Sequence, residues 1–332
     1  MIGLDVGGTK IAAVLLDDED AVVTRSWGEH AARGIDALAD ELAVRASALL
    51  EETDASPTGL GVSVSGLVAR DGRVTSGASL EIVGDLAGAV RDRLSLPTTV
   101  VNDGEATLRS VLAAHRARTG DDITDAVLLT LGTGVGGAIV SAGRPLRGRT
   151  GLATELGHLP VRAPSAQRCV CGSSGCLEQF AGGRGMAERA QLLVREGRAS
   201  SALVDLAQAS PAALTSRDVV EAARTGDPSA LQLVDEAAAA VADAIRSLCV
   251  TIEPDIVFLG GTIAHAAADL LPDRIRAHIA QRWSFADLTT PPPVQLDTIG
   301  PYAAAVGAAL LAKSPDHDSD ILIAPEGTTH HD

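Results

Sequence analysis

Aromatic side chains are scarce: two Trp, one Tyr and three Phe make up 2% of the 332 residues. A sugar or a base bound here finds few stacking platforms and must be read mainly by hydrogen bonds. Basic residues are also short, 27 Lys and Arg against 43 Asp and Glu, for a formal charge of −16, and no Lys/Arg-rich stretch offsets this locally. Such a chain repels nucleic acid and anionic membrane, so neither is expected as a partner. Anionic substrates must then be handled locally by backbone amides, a lysine or a metal. No apolar run approaches the length of a bilayer span, and the chain opens directly on MIGLDVGG without a basic leader, which together predict a soluble cytoplasmic protein.

Cysteine is rare too, yet three of the four stand together in CVCGSSGC as Cys169, Cys171 and Cys176, with His158 upstream and Glu155 and Glu178 bracketing the group. Three thiolates and an imidazole are the soft, tetrahedral set that closes a structural Zn²⁺ site, and Gly172 and Gly175 let the loop turn tightly. A disulfide is the rival reading. Cys169 and Cys171 are too close in sequence to bridge comfortably, three cysteines cannot all pair, and Cys249 lies in an apolar helical run where it reads as a small core residue. A metal in this loop would also orient the two carboxylates beside it.

At 332 residues the chain exceeds the size at which single cores stop growing, so two domains are expected. Ile2 to Val6 and Ile11 to Leu16 read as strands around a GGTK turn, Ala21 to Ser26 as a third strand, Ile35 to Leu50 as a helix, and PTGLGVSVSGLV as a fourth strand. A short helix over Asp85 to Leu94 stops before Pro97, and a strand from Thr98 to Val101 delivers Asn102 and Asp103 to its carboxyl end. After a helix from Ala106 to Arg118 the pattern restarts as AVLLTL, GTGVGG and AIVSAG, which suggests a duplicated β-β-β-α core with a boundary near Arg118. Long Ala-rich helices follow, then a strand over Asp255 to Leu259 running into Gly260–Gly261. A last small-residue helix spans Ala303 to Lys313, and residues 314–332, with His330 and His331, read as a disordered tail.

Three motifs carry candidate chemistry. In Asp5-x-Gly7-Gly8-Thr9-Lys10 the glycines let backbone approach a phosphate, Thr9 and Lys10 add a hydroxyl and a cation, and Asp5 is placed to hold hydrated Mg²⁺. A strand follows it, so it is not a Walker loop, and a plain hairpin turn is the alternative. The second motif, Gly132-Thr133-Gly134-Val135-Gly136-Gly137, again joins two strands, and Gly260–Gly261 is a third point of close backbone approach. In Asn102–Asp103 a carboxylate after a strand is suited to accept the proton of an attacking hydroxyl, while helix capping is the competing role.

Taken together, DVGGTK at 5–10, VND at 101–103, LGTGVGG at 131–137, ELGH at 155–158, CVCGSSGCLE at 169–178 and LGG at 259–261 make the chain resemble the ROK family of sugar kinases and sugar-responsive repressors. The resemblance covers roughly residues 1 to 312. It implies an α/β, two-lobed actin-like (ribonuclease H-like) sugar kinase fold with duplicated β-β-β-α-β cores and a zinc-binding loop. The lobes are expected at 1–118, joined by a C-terminal helix at 300–313, and at 119–299. It implies ATP-dependent phosphorylation of a hexose or amino sugar at the 6-hydroxyl, with Mg²⁺ and structural Zn²⁺ as cofactors and a homodimer as the assembly. Asp103 matches the family's base, and Asn102, Glu155, His158 and Glu178 match its sugar contacts, with His158, Cys169, Cys171 and Cys176 as zinc ligands. Gly7, Gly8, Thr9 and Lys10, then Gly132, Thr133, Gly134, Gly136 and Gly137, match its two phosphate segments, and Gly260 and Gly261 its nucleotide segment.

Departures from the family limit the choice of sugar. GASL places Ser79 where an asparagine usually binds it, Thr154 stands where a glycine is common, and Glu105 replaces an amide, either as a carboxylate favouring an amino sugar or as a charge seated in the helix dipole. A sugar-sensing regulator or a non-catalytic sugar-binding protein of the same family is the alternative function. A regulator is disfavoured by the acidity and by the lack of room for a DNA-binding domain before Asp5.

Overall fold

The computed structural model describes residues 1–51, 53–77, 80–161, 168–207 and 210–313. Ser79 and the expected tail with His330 and His331 lie outside them. The strands are β1 Ile2–Val6, β2 Lys10–Leu16, β3 Val22–Glu29, β4 Leu60–Val64, β5 Leu67–Val68, β6 Val74–Gly77, β7 Ile82–Gly84, β8 Thr98–Asn102, β9 Ala126–Leu131, β10 Val135–Ser141, β11 Arg144–Pro145, β12 Ile256–Gly260 and β13 Val294–Leu296. The helices are α1 Ile35–Glu51, α2 Leu86–Leu94, α3 Asp103–Thr119, α4 Glu178–Ala181, α5 Gly183–Arg195, α6 Ser201–Ala207, α7 Ser216–Arg224, α8 Pro228–Ile252, α9 Thr262–Ala266, α10 Leu271–Gln281 and α11 Ala303–Ala312.

Two five-stranded sheets share one topology. The first runs β3-β2-β1-β4-β8 and the second β11-β10-β9-β12-β13. In each, an antiparallel hairpin opens the sheet and the last two strands join in parallel, so the duplication expected from the sequence is a duplication of strand order. Such parallel pairing requires crossover helices, and these deliver the loops after β1, β4 and β8 to the same carboxyl edge. A three-stranded sheet, β5-β6-β7, completes the set. By Cα proximity the chain divides into two compact units, residues 1–124, 139–154 and 298–313 in one, and 125–138 and 155–297 in the other. The expected boundary near 118 therefore moves a few residues, and the segment 139–154 groups with the first unit.

The pleat of β2 explains how the first sheet is covered. Ile11, Ala13 and Leu15 face a core that includes Leu38, Leu42 and Leu49 of α1, whereas Val14 and Leu16 pack with Ala305 and Ala309 of α11. Helix α11 comes unusually close because its neighbours are small. A Cβ added at Gly3, Gly61 or Gly307 would fall within 2 Å of the backbone oxygen of Ala305, Ala308 or Ala106 respectively. The stretch AAAVGAALLA is thus a seat for α3, the helix that begins at Asp103. In the second unit the Ala-rich α8 buries Ala237, Ala238, Ala240 and Ala244, and β9 and β12 are buried almost throughout.

Candidate active site

Strand β8 ends on Asn102, and α3 begins three residues earlier than apolar periodicity alone indicates. The cause is the cap: Asn102 Oδ1 accepts from the Gly104 and Glu105 amides at 2.8 and 3.3 Å, and its Nδ2 donates to the Gly66 carbonyl at 2.9 Å. The capping role weighed for this pair belongs to Asn102. Asp103, the first helical residue, has one carboxylate oxygen on the Gly104 amide at 2.9 Å and is half-buried. Register places Val6 beside Val64 and Val64 beside Asn102, so the 7–10 turn and Asp103 leave the same edge of the sheet, two strand spacings or about 10 Å apart.

In the 7–10 turn the Gly7 amide donates to the Lys10 carbonyl at 2.9 Å, and the Lys10 ammonium lies 5.0 Å from the Trp27 ring centroid. Just before the turn, Asp5 accepts from the Ser63 hydroxyl at 2.6 Å, and burial pushes its carboxyl pKa above the usual range while that hydrogen bond opposes the shift. A carboxylate in this setting gains from a nearby cation, which suits a hard Mg²⁺.

Glu105 corrects the sequence reading. Its carboxylate does not stand free to select an amino sugar. Arg147 holds it with two hydrogen bonds, 2.5 and 2.8 Å, and the two side chains are only 11% and 12% exposed. The pair borders a cavity of about 340 Å³ that Arg70, Asp71, Thr98 and Arg91 also line. Nothing in the local sequence marks Arg147 as this partner, because it lies 42 positions away.

In the second unit backbone hydrogen bonds and two left-handed glycines shape the cysteine loop. The Val161 amide donates to the Gly175 carbonyl and the Leu177 amide to the Leu159 carbonyl, each at 2.9 Å, while Gly172 and Gly175 take φ of +86° and +78°. This pairing brings the short turn Leu156–His158 beside the cysteines. One donor atom from each of His158, Cys169, Cys171 and Cys176 lies within 4.8 Å of every other. Cys169 Sγ is 3.4 Å from His158 Nδ1, and Cys171 Sγ is 3.7 Å from Cys176 Sγ. A tetrahedral zinc with the usual bond lengths needs S–N and S–S edges of about 3.6 and about 3.8 Å. The sulfurs are free thiols, so the four residues fit a metal and not a disulfide. Burial pushes the Cys169 thiol up to about 12 and Cys176 upward as well, whereas a backbone hydrogen bond at Ser173 lowers Cys171. A metal would displace the thiol protons.

With Nδ1 turned to the cysteines, His158 Nε2 points to Glu155 at 3.9 Å. Glu178 joins the cluster to the glycine turn: it accepts from Cys169 Sγ at 3.3 Å and pairs with Arg184 at 3.6 Å, and a Cβ at Gly134 would meet its Oε2 at 2.6 Å. The turn itself is pinned by the Gly183 and Arg184 amides, which donate to the Gly132 and Thr133 carbonyls at 2.8 and 2.9 Å. Gly132 has open space where a side chain would be. Beside it, at the end of the parallel neighbour β12, Gly261 adopts φ +88° against the Leu131 carbonyl, and buried Asp297 pairs with His265 at 3.2 Å next to Gly260. Arg147, Ser63 and Asp297 were invisible to motif reading, since each acts through a partner distant in the chain.

Comparison with known proteins places this geometry in context. An N-acetylmannosamine kinase of Shigella flexneri is 30% identical over 322 residues, covering 94% of this chain and 98% of that protein. A glucokinase of Halalkalibacterium halodurans is 29% identical, covering 96% of each. Among solved structures, a ROK family glucokinase of Streptomyces griseus in complex with glucose and AMPPNP aligns at a TM-score of 0.78 and 28% identity, over 94% of this chain and 99% of that one. The ROK family profile matches residues 1–315, and the chain belongs to the ROK family.

Proposed function

We propose that this ROK sugar kinase transfers the γ-phosphoryl group of ATP to the 6-hydroxyl of a neutral hexose or an N-acylated hexosamine. The observation that carries the reading is near-complete alignment with an N-acetylmannosamine kinase and a glucokinase, supported by the glucose- and AMPPNP-bound relative. A free amino sugar is disfavoured because Arg147 already neutralises Glu105.

In this reading Asp103 accepts the proton of the sugar hydroxyl, its other oxygen being steadied by the Gly104 amide. Glu155, the Nε2 edge of His158 and Glu178 supply sugar contacts, and Asn102 acts by fixing the start of α3. The 7–10 and 132–137 turns offer amides, the Thr9 and Thr133 hydroxyls and Lys10 to the phosphates, and Gly260–Gly261 offers backbone to the nucleoside. Asp5 would hold Mg²⁺, which supplies charge neutralisation on the phosphates, and His158 with the three cysteines would hold Zn²⁺, which supplies rigidity to the sugar loop.

A coupled assay with ATP over glucose, other hexoses, N-acylhexosamines and free amino sugars tests the assignment. Turnover of a neutral sugar is expected. Asp103→Asn should cut kcat roughly 10²- to 10⁴-fold while sugar affinity stays near the wild-type value, since only the proton acceptor is lost. Near-normal turnover by that variant refutes its role as the base.

A further inference from the structure

His30 belongs to none of the sequence motifs, yet it grips the first glycine turn. It follows directly on β3, and its backbone amide donates to the Thr9 carbonyl at 3.0 Å. Its ring Nε2 lies 2.9 Å from the Gly7 carbonyl. A carbonyl only accepts, so Nε2 must carry the proton, and in the neutral ring Nδ1 is then left as an acceptor. That Nδ1 is buried and has no partner among the described residues. The donor edge of the ring is therefore the one the turn uses.

The consequence for the turn follows from peptide geometry. In a planar trans peptide the carbonyl and the next amide point in opposite directions. Drawing the Gly7 carbonyl toward His30 therefore turns the Gly8 amide the other way, and that amide has no hydrogen bond among the described residues. On the same turn Lys10 is paired across to Glu29 and held over Trp27. Two donors from one residue thus fix the Gly7 and Thr9 carbonyls on one side and leave the Gly8 amide to the other. That is the arrangement with which a backbone turn meets a phosphate.

We propose that His30 is a positioning residue for the nucleotide: its Nε2–H and backbone N–H hold the 7–10 turn in the conformation that presents the Gly8 amide to a phosphoryl group. The inference rests on the kinase reading above, in which this turn receives ATP.

The test measures AMPPNP and sugar affinity separately by calorimetry, with the melting temperature alongside, in full-length wild type, His30→Phe and His30→Gln. Phe keeps the ring volume and removes the donor, while Gln restores an N–H near the same reach. Loss of one such hydrogen bond should weaken AMPPNP binding about tenfold in His30→Phe. Recovery to within about threefold of wild type is expected in His30→Gln, with sugar affinity unchanged in both. If AMPPNP affinity in His30→Phe stays within about twofold of wild type, or if both ligands weaken together, the positioning role is overturned. Should His30→Phe fail to fold, His30→Asn, too short to reach the Gly7 carbonyl, makes the same comparison. Because calorimetry with AMPPNP needs no turnover, the inference is judged separately from the kinase assignment. A wild-type protein that binds the nucleotide but phosphorylates no sugar overturns the proposed function and leaves this result standing.

Discussion

The ion pair between Glu105 and Arg147 is the sharpest place to perturb the first unit. Two hydrogen bonds of 2.5 and 2.8 Å join side chains that are 11% and 12% exposed, so both charges have lost most of their water. Deleting one partner of a buried pair leaves the other uncompensated, at about 3–5 kcal/mol. Here the adjoining cavity of about 340 Å³ can hydrate the stranded group, and for Arg147→Met the N-terminus of α3 still favours the Glu105 carboxylate by about 0.5 kcal/mol. Both corrections place Arg147→Met near the lower limit, at about 3 kcal/mol. Glu105→Gln strands the guanidinium without help from the dipole and should cost at least as much.

The double variant, Glu105→Gln with Arg147→Met, removes both charges. It should be destabilised by less than the sum of the two singles, by about 2 kcal/mol or more. Urea unfolding of the four proteins gives this coupling directly, and each single variant should melt roughly 6–12 °C lower for a unit of this size. Strictly additive effects would show that the pair contributes no coupling, and the argument from burial would fail. Since Glu105 sits two residues after Asp103, the singles should also raise sugar KM, whereas the double variant should recover part of that loss along with its stability.

Cys171→Ser removes one of four ligands, so it should lower stability by at least about 2 kcal/mol and weaken sugar binding in parallel. A chelator should do the same to the wild type and nothing further to the variant; equal melting of wild type with and without chelator refutes the metal. Gly307→Ala places a Cβ within 2 Å of the Ala106 carbonyl oxygen, and overpacking should cost about 1–3 kcal/mol, although alanine is the better helix former by about 1 kcal/mol. A more stable Gly307→Ala protein in thermal unfolding would disprove the close seat of α11. Thr154 takes φ +80° as a β-branched residue, so Thr154→Gly should be stabilising by up to about 1 kcal/mol, the relief of left-handed strain less the entropy of glycine. A destabilised variant in the same assay would mean that its side chain, and not its backbone, matters.

What could be read in the sequence was whatever is specified by neighbours in the chain. Strands β1 and β2 announce themselves by apolar runs on either side of a glycine turn. The Cys₃His cluster is visible because its four residues fall within 19 positions, with two glycines of positive φ between Cys171 and Cys176. The start of α3 was misplaced because periodicity sees the buried face of a helix and not its cap, and Asn102 decides the first turn through hydrogen bonds that leave no apolar signature. The hairpin of β6 and β7 escaped because it is short and its exposed positions are polar or glycine. Glu105 shows the limit more clearly. Its position in the helix permitted two roles, an open carboxylate or a charge in the dipole, and a partner 42 residues away chose a third. A charged side chain near a pocket is therefore no evidence about a ligand until its counter-ion has been found. His30 obeys the same rule in reverse. A lone histidine with no motif acquires a role only when the fold sets its ring against the carbonyl of a turn that sequence had already marked.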